Sequence, residues 1–244
     1  MYRSAPAMSR YHVVSSTLGG SRSRQGFKAV IVYVIDEMTV GDIDEVSAVE
    51  TRSFPSAWPI SAYRRELRNR RQSFYVVLRD DPTITAVTTT PRHVPEEEGD
   101  SGRIPFLPFL RRGGVPPKLP ILGFAGMWVL LDEAHVTTIA VDPDRQGHGL
   151  GEFLFVTLMD EAIQRGATWV TLEVRITNHT AQALYRKYGF SVQGRRPRYY
   201  SDNNEDAYIM WSESLRDPGY RQRLQELRRS VLARLGGVGL ELAE

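Results

Sequence analysis

Apolar residues recur along this chain with two periods, one typical of strands and one typical of helices. Runs of consecutive or alternating apolar residues predict strands at 29–35, 74–78, 121–131, 134–141, 169–174, 190–193 and 207–211. Apolar positions three and four residues apart predict helices over about 40–54, 62–70, 150–163 and 180–188. The order of these elements predicts an α/β (α+β) fold with a mixed central sheet flanked by about four helices.

Three segments lie outside this pattern. Residues 1–27 are rich in Ser, Arg and Gly without periodicity, which predicts a disordered N-terminal tail. Residues 80–120 hold eight of the fourteen prolines and predict a hairpin-like insertion within a domain that spans 28–213. Residues 214–244 predict a C-terminal amphipathic helix or tail, either docked on the domain or on a partner, or solvated; its apolar positions are Leu224, Leu227, Val231 and Leu235.

Composition narrows the class of protein. The formal net charge of +2, with both signs interspersed, gives no case for direct nucleic-acid binding. The chain has no cysteine, so disulfides, thiolate metal sites and a cysteine nucleophile are excluded. The N-terminal segment lacks the apolar core of a secretory signal, and the sequence has no run of eighteen apolar residues. We therefore expect a cytoplasmic protein that binds neither a membrane nor a metal.

The most informative stretch is 138–151, where a strand, a glycine-rich turn and a helix follow one another. The apolar run at 139–141 stops at Asp142-Pro143, and three glycines then precede the helix. Unpaired N–H groups at a helix N-terminus suit a phosphate or pyrophosphate. Glu152 and Phe153 follow Gly151, so the Lys-Ser/Thr pair of a P-loop is missing. The glycine spacing also argues against the G-x-G-x-x-G dinucleotide fingerprint.

Three residues after the loop are candidates for chemistry. Glu173 lies in the strand TLEVR, where it is a candidate general base, although alternation also permits a glutamate on an exposed face. Tyr185, on the following short helix, is a candidate proton donor to a leaving thiolate or a packed core tyrosine. Asn178 either binds the cofactor or caps that helix.

The loop pattern Gln146-x-x-Gly149-x-Gly151 resembles the acetyl-CoA pyrophosphate loop of the GNAT superfamily of N-acetyltransferases. With IAVDP before it, LEVRITNHTAQALYRKYGF after it, and FPSAW near the start, the chain is similar to the RimI family within that superfamily. That family acetylates the N-terminal alanine of a small-subunit ribosomal protein. The resemblance implies an N-α-acetyltransferase that uses acetyl-CoA as cosubstrate, with Glu173 as proton acceptor and Tyr185 as proton donor.

The resemblance also implies the binding residues. Acetyl-CoA would be held by residues at the end of the strand, in the glycine-rich loop, at the start of the following helix and before the helix at 180–188. These residues are Ile139, Ala140, Val141, Gln146, Gly147, His148, Gly149, Leu150, Gly151, Glu152 and Asn178. The acceptor peptide would lie near Trp58, Tyr199 and Tyr200. Gly147 and Glu152 stand where basic residues are frequent in the family, so the loop must rely on backbone N–H groups and the helix dipole.

Alternatives remain open on the acceptor and on activity itself. The partner is a protein or peptide N-terminus, with a ribosomal protein among the candidates, while a small amine or a lysine is the enzymatic alternative. A non-catalytic module that binds acyl-CoA or interacts with ribosomes is the third reading. The oligomeric state and the roles of the insertion and both tails do not follow from the sequence.

Overall fold

A computed structural model describes residues 11–16, 30–81 and 119–236. The described residues form one eight-stranded mixed sheet, with helices on both faces. The strands are β1 Tyr11–Ser16, β2 Val30–Glu37, β3 Ser73–Asp81, β4 Ile121–Leu130, β5 Glu133–Val141, β6 Trp169–Arg175, β7 Ser191–Tyr200 and β8 Glu205–Trp211. The helices are α1 Ile43–Ser53, α2 Ile60–Arg68, α3 Leu150–Gln164, α4 His179–Lys187 and α5 Pro218–Arg234.

The strand order is β1-β2-β3-β4-β5-β6-β8-β7. β5 and β6 pair in parallel, and every other described pair is antiparallel. The predicted fold class is therefore confirmed. The helix predicted over 150–163 is also confirmed, and its apolar residues at four-residue spacing are buried against the sheet: Leu150, Leu154, Leu158 and Ala162.

Two hydrophobic clusters fix the sheet between its helix layers. The larger cluster joins α3, α5 and the end of α4 to one face of the sheet. The smaller cluster joins α1 and α2 to the opposite face, where Tyr63 and Tyr75 meet edge to face with ring centroids 6.2 Å apart. Side chains alternate between faces along each strand, so the two helix layers contact different residues of the same strand.

The disorder predicted for residues 1–27 is wrong at residues 11–16. These residues form β1, which pairs antiparallel with β2 from Tyr11 opposite Ile35 to Ser16 opposite Val30. The sequence YHVVSS contains aromatic and β-branched residues that favour strands, and the edge of β2 offers unpaired backbone groups. The remainder of the predicted tail lies outside the described residues, as does the insertion from residue 82 to 118.

The C-terminal segment takes the docked alternative over the residues that the structure describes, which end at 236, while residues 237–244 lie outside them. Asp217 caps α5 by accepting a hydrogen bond from the Tyr220 backbone N–H, and Pro218 occupies the first turn. Tyr220, Leu224, Val231 and Leu235 are buried in the larger cluster. The fifth helix therefore belongs to the domain. No helix in the described ranges combines the length and the apolar character needed to cross a bilayer.

Gly126 marks a β-bulge in β4. The register between β4 and β5 shifts between Gly126 and Met127. A Cβ at Gly126 would lie 2.1 Å from Cε1 of Tyr75. Because Tyr75 is buried and its hydroxyl is 3.1 Å from Oγ1 of Thr137, the ring cannot simply move aside.

We expect Gly126→Ala to lower the free energy of unfolding by about 1–3 kcal/mol, as overpacked cores do. Chemical denaturation measures the change. The matched control is Gly194→Ala in β7, where the nearest atom to the added Cβ would be Cδ1 of Ile209 at 3.4 Å. Equal stability of the two variants would show that Tyr75 does not restrict this position.

Candidate active site

A cleft opens where β5 and β6 diverge. The two strands pair only over Glu133–Val136 and Trp169–Leu172. Beyond this point no described strand pairs with the β6 side of residues 137–141, although β4 still pairs with their other side. The predicted residues Ile139, Ala140 and Val141 lie on this free edge, where backbone groups that face away from β4 can bind an extended ligand. The Val141 carbonyl is already occupied, because it accepts from the side chains of Gln146 and Ser53.

The glycine loop closes one end of the cleft. Gly147 and Gly149 have φ values of +79° and +82°, which favour glycine. The backbone N–H groups of residues 147–152 donate to no other described residue, and the first paired one is the N–H of Phe153, which bonds the Gly149 carbonyl. Residues 147–149 precede α3 and residues 150–152 form its first turn, and unpaired N–H groups at a helix N-terminus suit phosphate groups.

Side chains from the surrounding elements hold this loop in place. Arg52 of α1 contacts Asp142 at 2.5 Å and Asp144 at 2.7 Å. The amide of Gln146 donates to the Val141 carbonyl at 3.0 Å, so this predicted cofactor residue braces the loop with its side chain. Sequence reasoning missed Arg52, which lies some ninety positions before the loop and carries no local signal.

Glu152 turns its side chain away from the free N–H groups. Its carboxylate contacts Lys187 Nζ at 2.6 Å and accepts a hydrogen bond from the Tyr188 hydroxyl at 2.8 Å. Arg234 of α5 binds its other oxygen. Burial and Glu152 raise the pKa of Tyr188. An acidic side chain beside an anion site is unfavourable, and the two cations compensate its charge.

Glu173 lies in the wall of the cleft on β6. Its neighbours in sequence, Leu172 and Val174, pack in the larger cluster on the α3 side of the sheet. Glu173 therefore points to the opposite side, which α1 and α2 cover. The side chain is only 5% exposed, which excludes the exposed-face alternative. Burial opposes ionisation, but the hydrogen bond and charge of His135 and the charge of Arg196 outweigh it. The pKa of Glu173 therefore lies below its usual value.

His135 and Arg196 flank this carboxylate. His135 Nε2 lies 3.0 Å from Oε2, and an Arg196 guanidinium nitrogen lies 3.1 Å from Oε1. The other ring nitrogen of His135 is 2.8 Å from Thr171 Oγ1. The sequence assigned no role to either residue. The register that places His135 opposite Thr171 joins strands separated by a whole helix.

Tyr185 is packed on α4. Its ring lies 5.2 Å from that of Phe155 and 6.1 Å from that of Phe190. Burial raises the pKa of its phenol to about 12. Its hydroxyl bonds no other residue among those that the structure describes. Tyr185 is thus a partly buried tyrosine packed against the larger cluster, and its hydroxyl stays uncommitted, which is compatible with both readings of the sequence.

Tyr199 and Tyr200 lie on β7, with ring centroids 5.1 Å apart. The Arg196 guanidinium sits 5.6 Å from the Tyr199 ring centroid, and the pKa of Tyr199 is raised by burial and by the negative charge of Glu173. Tyr200 packs under Arg175 at 3.8 Å, and its pKa is raised by burial. Tyr185 and Glu173 both contribute to that shift, so the Tyr200 phenol lies within electrostatic range of both candidate catalytic groups.

Two further predicted residues have structural contacts of their own. Asn178 Oδ1 accepts a hydrogen bond from the Ala181 N–H at 3.0 Å and so caps α4. The structure thus bears out the capping alternative, while the Asn178 amide nitrogen remains available to a ligand. Trp58 is half-buried in the turn between α1 and α2, 5.8 Å from the Tyr63 ring. It lies on the same side of the sheet as Glu173.

A family model and two sequence relatives that match this chain are acetyltransferases by name. The profile of the Acetyltransferase (GNAT) family matches residues 88–190. The chain is 32% identical over 182 residues to the N-alpha-acetyltransferase RimI of Mycobacterium tuberculosis, covering 74% of this chain and 92% of that protein. It is 48% identical over 89 residues to the [Ribosomal protein bS18]-alanine N-acetyltransferase of Escherichia coli, covering 36% of this chain and 60% of that protein.

Solved structures agree with the sequence comparison. The crystal structure of the ribosomal-protein-S18-alanine N-acetyltransferase from Escherichia coli matches with a TM-score of 0.53 and 27% identity. The match covers 74% of this chain and 92% of that one. The Ard1 structure from Thermoplasma volcanium, at 22% identity and a TM-score of 0.55, shows the same fold.

Proposed function

The chain belongs to the GNAT family of acetyltransferases, and we propose that it transfers an acetyl group from acetyl-CoA to the N-terminal amine of a protein. The observation that carries this proposal is the buried Glu173 carboxylate, held between His135 and Arg196 where β5 and β6 part. The names of the relatives from M. tuberculosis and E. coli support an N-terminal acceptor, with the alanine of ribosomal protein bS18 as first candidate.

The cleft fits the cosubstrate that this family uses. The free N–H groups of residues 147–152 would hold its phosphates, and the open edge of Ile139, Ala140 and Val141 would align its extended arm. Asn178 would contribute its amide nitrogen. When bound, acetyl-CoA supplies an activated thioester. The chain has no basic side chain at Gly147, so backbone donors carry this interaction, as the sequence predicts.

Glu173 is proposed as the proton acceptor. An α-amino group with a pKa of about 7.7 to 8.0 is roughly one-tenth neutral at pH 7, whereas a lysine amine near 10.4 is below about 0.1% neutral. A carboxylate whose pKa is depressed stays ionised and orients the amine, but it is a weak base. This site therefore suits an N-terminal amine better than lysine. Trp58, Tyr199 and Tyr200 would line the approach of the peptide.

Tyr185 is proposed to donate a hydrogen bond to the departing thiolate. A thiol like that of cysteine has a pKa near 8.5, so a phenol with a pKa of about 12 is a poor proton donor to its thiolate. We expect Tyr185→Phe to lower kcat by less than about tenfold, below the roughly 10²- to 10⁴-fold loss of an obligatory acid. Steady-state kinetics measures this, and loss of all turnover with acetyl-CoA binding intact would contradict it.

The proposed function is tested by incubating the protein with acetyl-CoA and short peptides that begin with Ala, Ser or Met, with mass detection. The bS18 N-terminal peptide is included, and a peptide with a blocked N-terminus and an internal lysine is the control. Transfer to the free N-termini and not to the blocked peptide is expected. Transfer only to lysine or to small amines, or measurable acetyl-CoA binding without any transfer, would overturn the proposal in favour of those alternatives.

A further inference from the structure

A hydrogen-bond chain leads away from Glu173 on the α1–α2 side of the sheet. It runs from Glu173 Oε2 to His135 Nε2 at 3.0 Å, from His135 Nδ1 to Thr171 Oγ1 at 2.8 Å, and from Thr171 Oγ1 to Glu133 Oε1 at 2.6 Å. Glu133 and His135 are on β5, and Thr171 and Glu173 are on β6. The chain thus crosses the last paired stretch before the cleft opens.

The hydrogen-bond chain determines which ring nitrogen of His135 gains and loses a proton. An ionised carboxylate only accepts hydrogen bonds, so Thr171 donates its single hydroxyl proton to Glu133. Thr171 Oγ1 must then accept from His135, and Nδ1 carries a permanent proton. The proton that comes and goes is therefore the one on Nε2, the nitrogen that faces Glu173. The contact with Glu173 is a hydrogen bond while Nε2 carries this proton, and without it the Nε2 lone pair faces the carboxylate.

The ring is also fixed in orientation. It stacks on the Trp128 indole with centroids 6.0 Å apart and planes inclined by 28°. The indole N–H donates to Glu66 Oε2 at 2.8 Å, and the Ser73 hydroxyl donates to the same oxygen at 2.7 Å. The histidine side chain remains 26% exposed, so part of the imidazole is in contact with solvent.

We propose that His135 is the group that finally holds the proton released by the acceptor amine, which it receives through Glu173. The inference rests on the proposed function and deepens it. The amine nitrogen uses its electron pair to form the N–C bond to the acetyl carbon, and the C–S electron pair leaves on the thiolate. The N–H proton passes to Glu173 and a proton passes from Glu173 to Nε2, which later releases it to water. Glu173 ends each turnover ionised.

This division of roles follows from the charges around the pair. Arg196 favours the ionised form of Glu173. Around the imidazole, Glu173 contacts Nε2 directly, Glu133 lies behind Thr171, and Glu66 lies behind the stacked Trp128 indole. Tyr199 adds a neutral phenol on the β7 side. A carboxylate beside Arg196 holds a proton poorly, whereas an imidazole changes its charge between pH 5 and 8. His135 is therefore the better final acceptor.

The pH dependence of kcat/KM tests the proposal, with an alanine-starting peptide as acceptor. In the natural protein the acceptor amine and His135 Nε2 must both be unprotonated for the reaction to proceed. The plot of log(kcat/KM) against pH therefore steepens from a slope of one towards two as the pH falls. His135→Phe, which keeps a ring to stack on Trp128, is expected to lose about ten- to a hundredfold in kcat/KM at neutral pH and to keep a slope of one. His179→Gln, at an exposed histidine on α4, is the matched control.

A second readout does not depend on turnover. The NMR signals of the His135 ring report its titration, and Glu173→Gln is expected to lower its midpoint because a neighbouring negative charge is lost. Thr171→Val should disturb the tautomer while leaving the fold, as thermal unfolding checks. A slope of one in the natural protein with full activity, or a midpoint that Glu173→Gln leaves unmoved, overturns the proposal. If Glu173→Gln lowers the midpoint of the His135 titration as expected but the natural protein transfers no acetyl group, the proposed function is refuted instead.

Discussion

Glu173→Gln is expected to lower kcat by about 10²- to 10⁴-fold, the range over which a positioned acid or base acts. Glutamine keeps the shape of the side chain and its contact with Arg196, but its neutral amide cannot accept the proton of the amine. The KM for acetyl-CoA should change little, because Glu173 faces the α1–α2 side of the sheet and the phosphates would lie at the glycine loop. Steady-state kinetics with an alanine-starting peptide measures both constants.

The control separates catalysis from folding. Glu226→Gln removes the same charge from an exposed position on α5 and should leave kcat unchanged. Thermal unfolding of both variants should stay near that of the natural protein, since Arg196 is 54% exposed and tolerates the loss of its partner. A Glu173→Gln protein that turns over at the normal rate would show that Glu173 is not the proton acceptor.

Local patterns predicted much of the sheet and the central helix. The runs at 121–131 and 134–141, both predicted as strands, form the antiparallel hairpin of β4 and β5. Gly189 ends α4 with a φ of +77°, the conformation that favours glycine at a helix C-terminus. In these places a residue's local chemistry and its tertiary environment favour the same structure, so sequence reasoning needs no knowledge of distant partners.

Other elements depend on partners that local patterns do not reveal. β7 was expected to end at residue 193, yet it continues to Tyr200 through Gly194 and Pro197. The strand tolerates both residues because it lies at the edge of the sheet and its register shifts twice against β8. β1 forms only because β2 has a free edge. In each case the deciding contact is with a distant segment.

The candidate site divides in the same way. The glycine loop and Glu173 were found because consecutive residues carry their signals, which are three glycines before a helix and an acid in an apolar strand. The contacts of Arg196 and His135 with Glu173 were missed because each reaches Glu173 from another strand. The sequence thus revealed the carboxylate, whereas the groups that set its pKa depend on strand register.

Val231→Asp is expected to release α5 from the domain and lower the free energy of unfolding by about 3–5 kcal/mol. Val231 is fully buried, so its apolar contacts are worth about 1.5–3 kcal/mol, and an unpaired carboxylate in its place costs several more. Undocking of the helix limits this penalty. Chemical denaturation measures the stability, and hydrogen exchange of the α5 amides shows whether the helix has left the sheet.

The same substitution should weaken the binding of acetyl-CoA, because α5 ends against the glycine loop. Leu235 Cδ2 lies 3.7 Å from where a Cβ on Gly149 would be, and Arg234 binds Glu152 in the first turn of α3. Loss of Arg234 leaves more negative charge beside the phosphates, and we expect the KM for acetyl-CoA to rise about two- to fivefold. Gln225→Asp, at an exposed position of α5, adds the same charge without undocking and should leave both quantities unchanged. An unchanged KM in a Val231→Asp protein whose α5 amides exchange freely would mean that α5 stabilises the fold without supporting the loop.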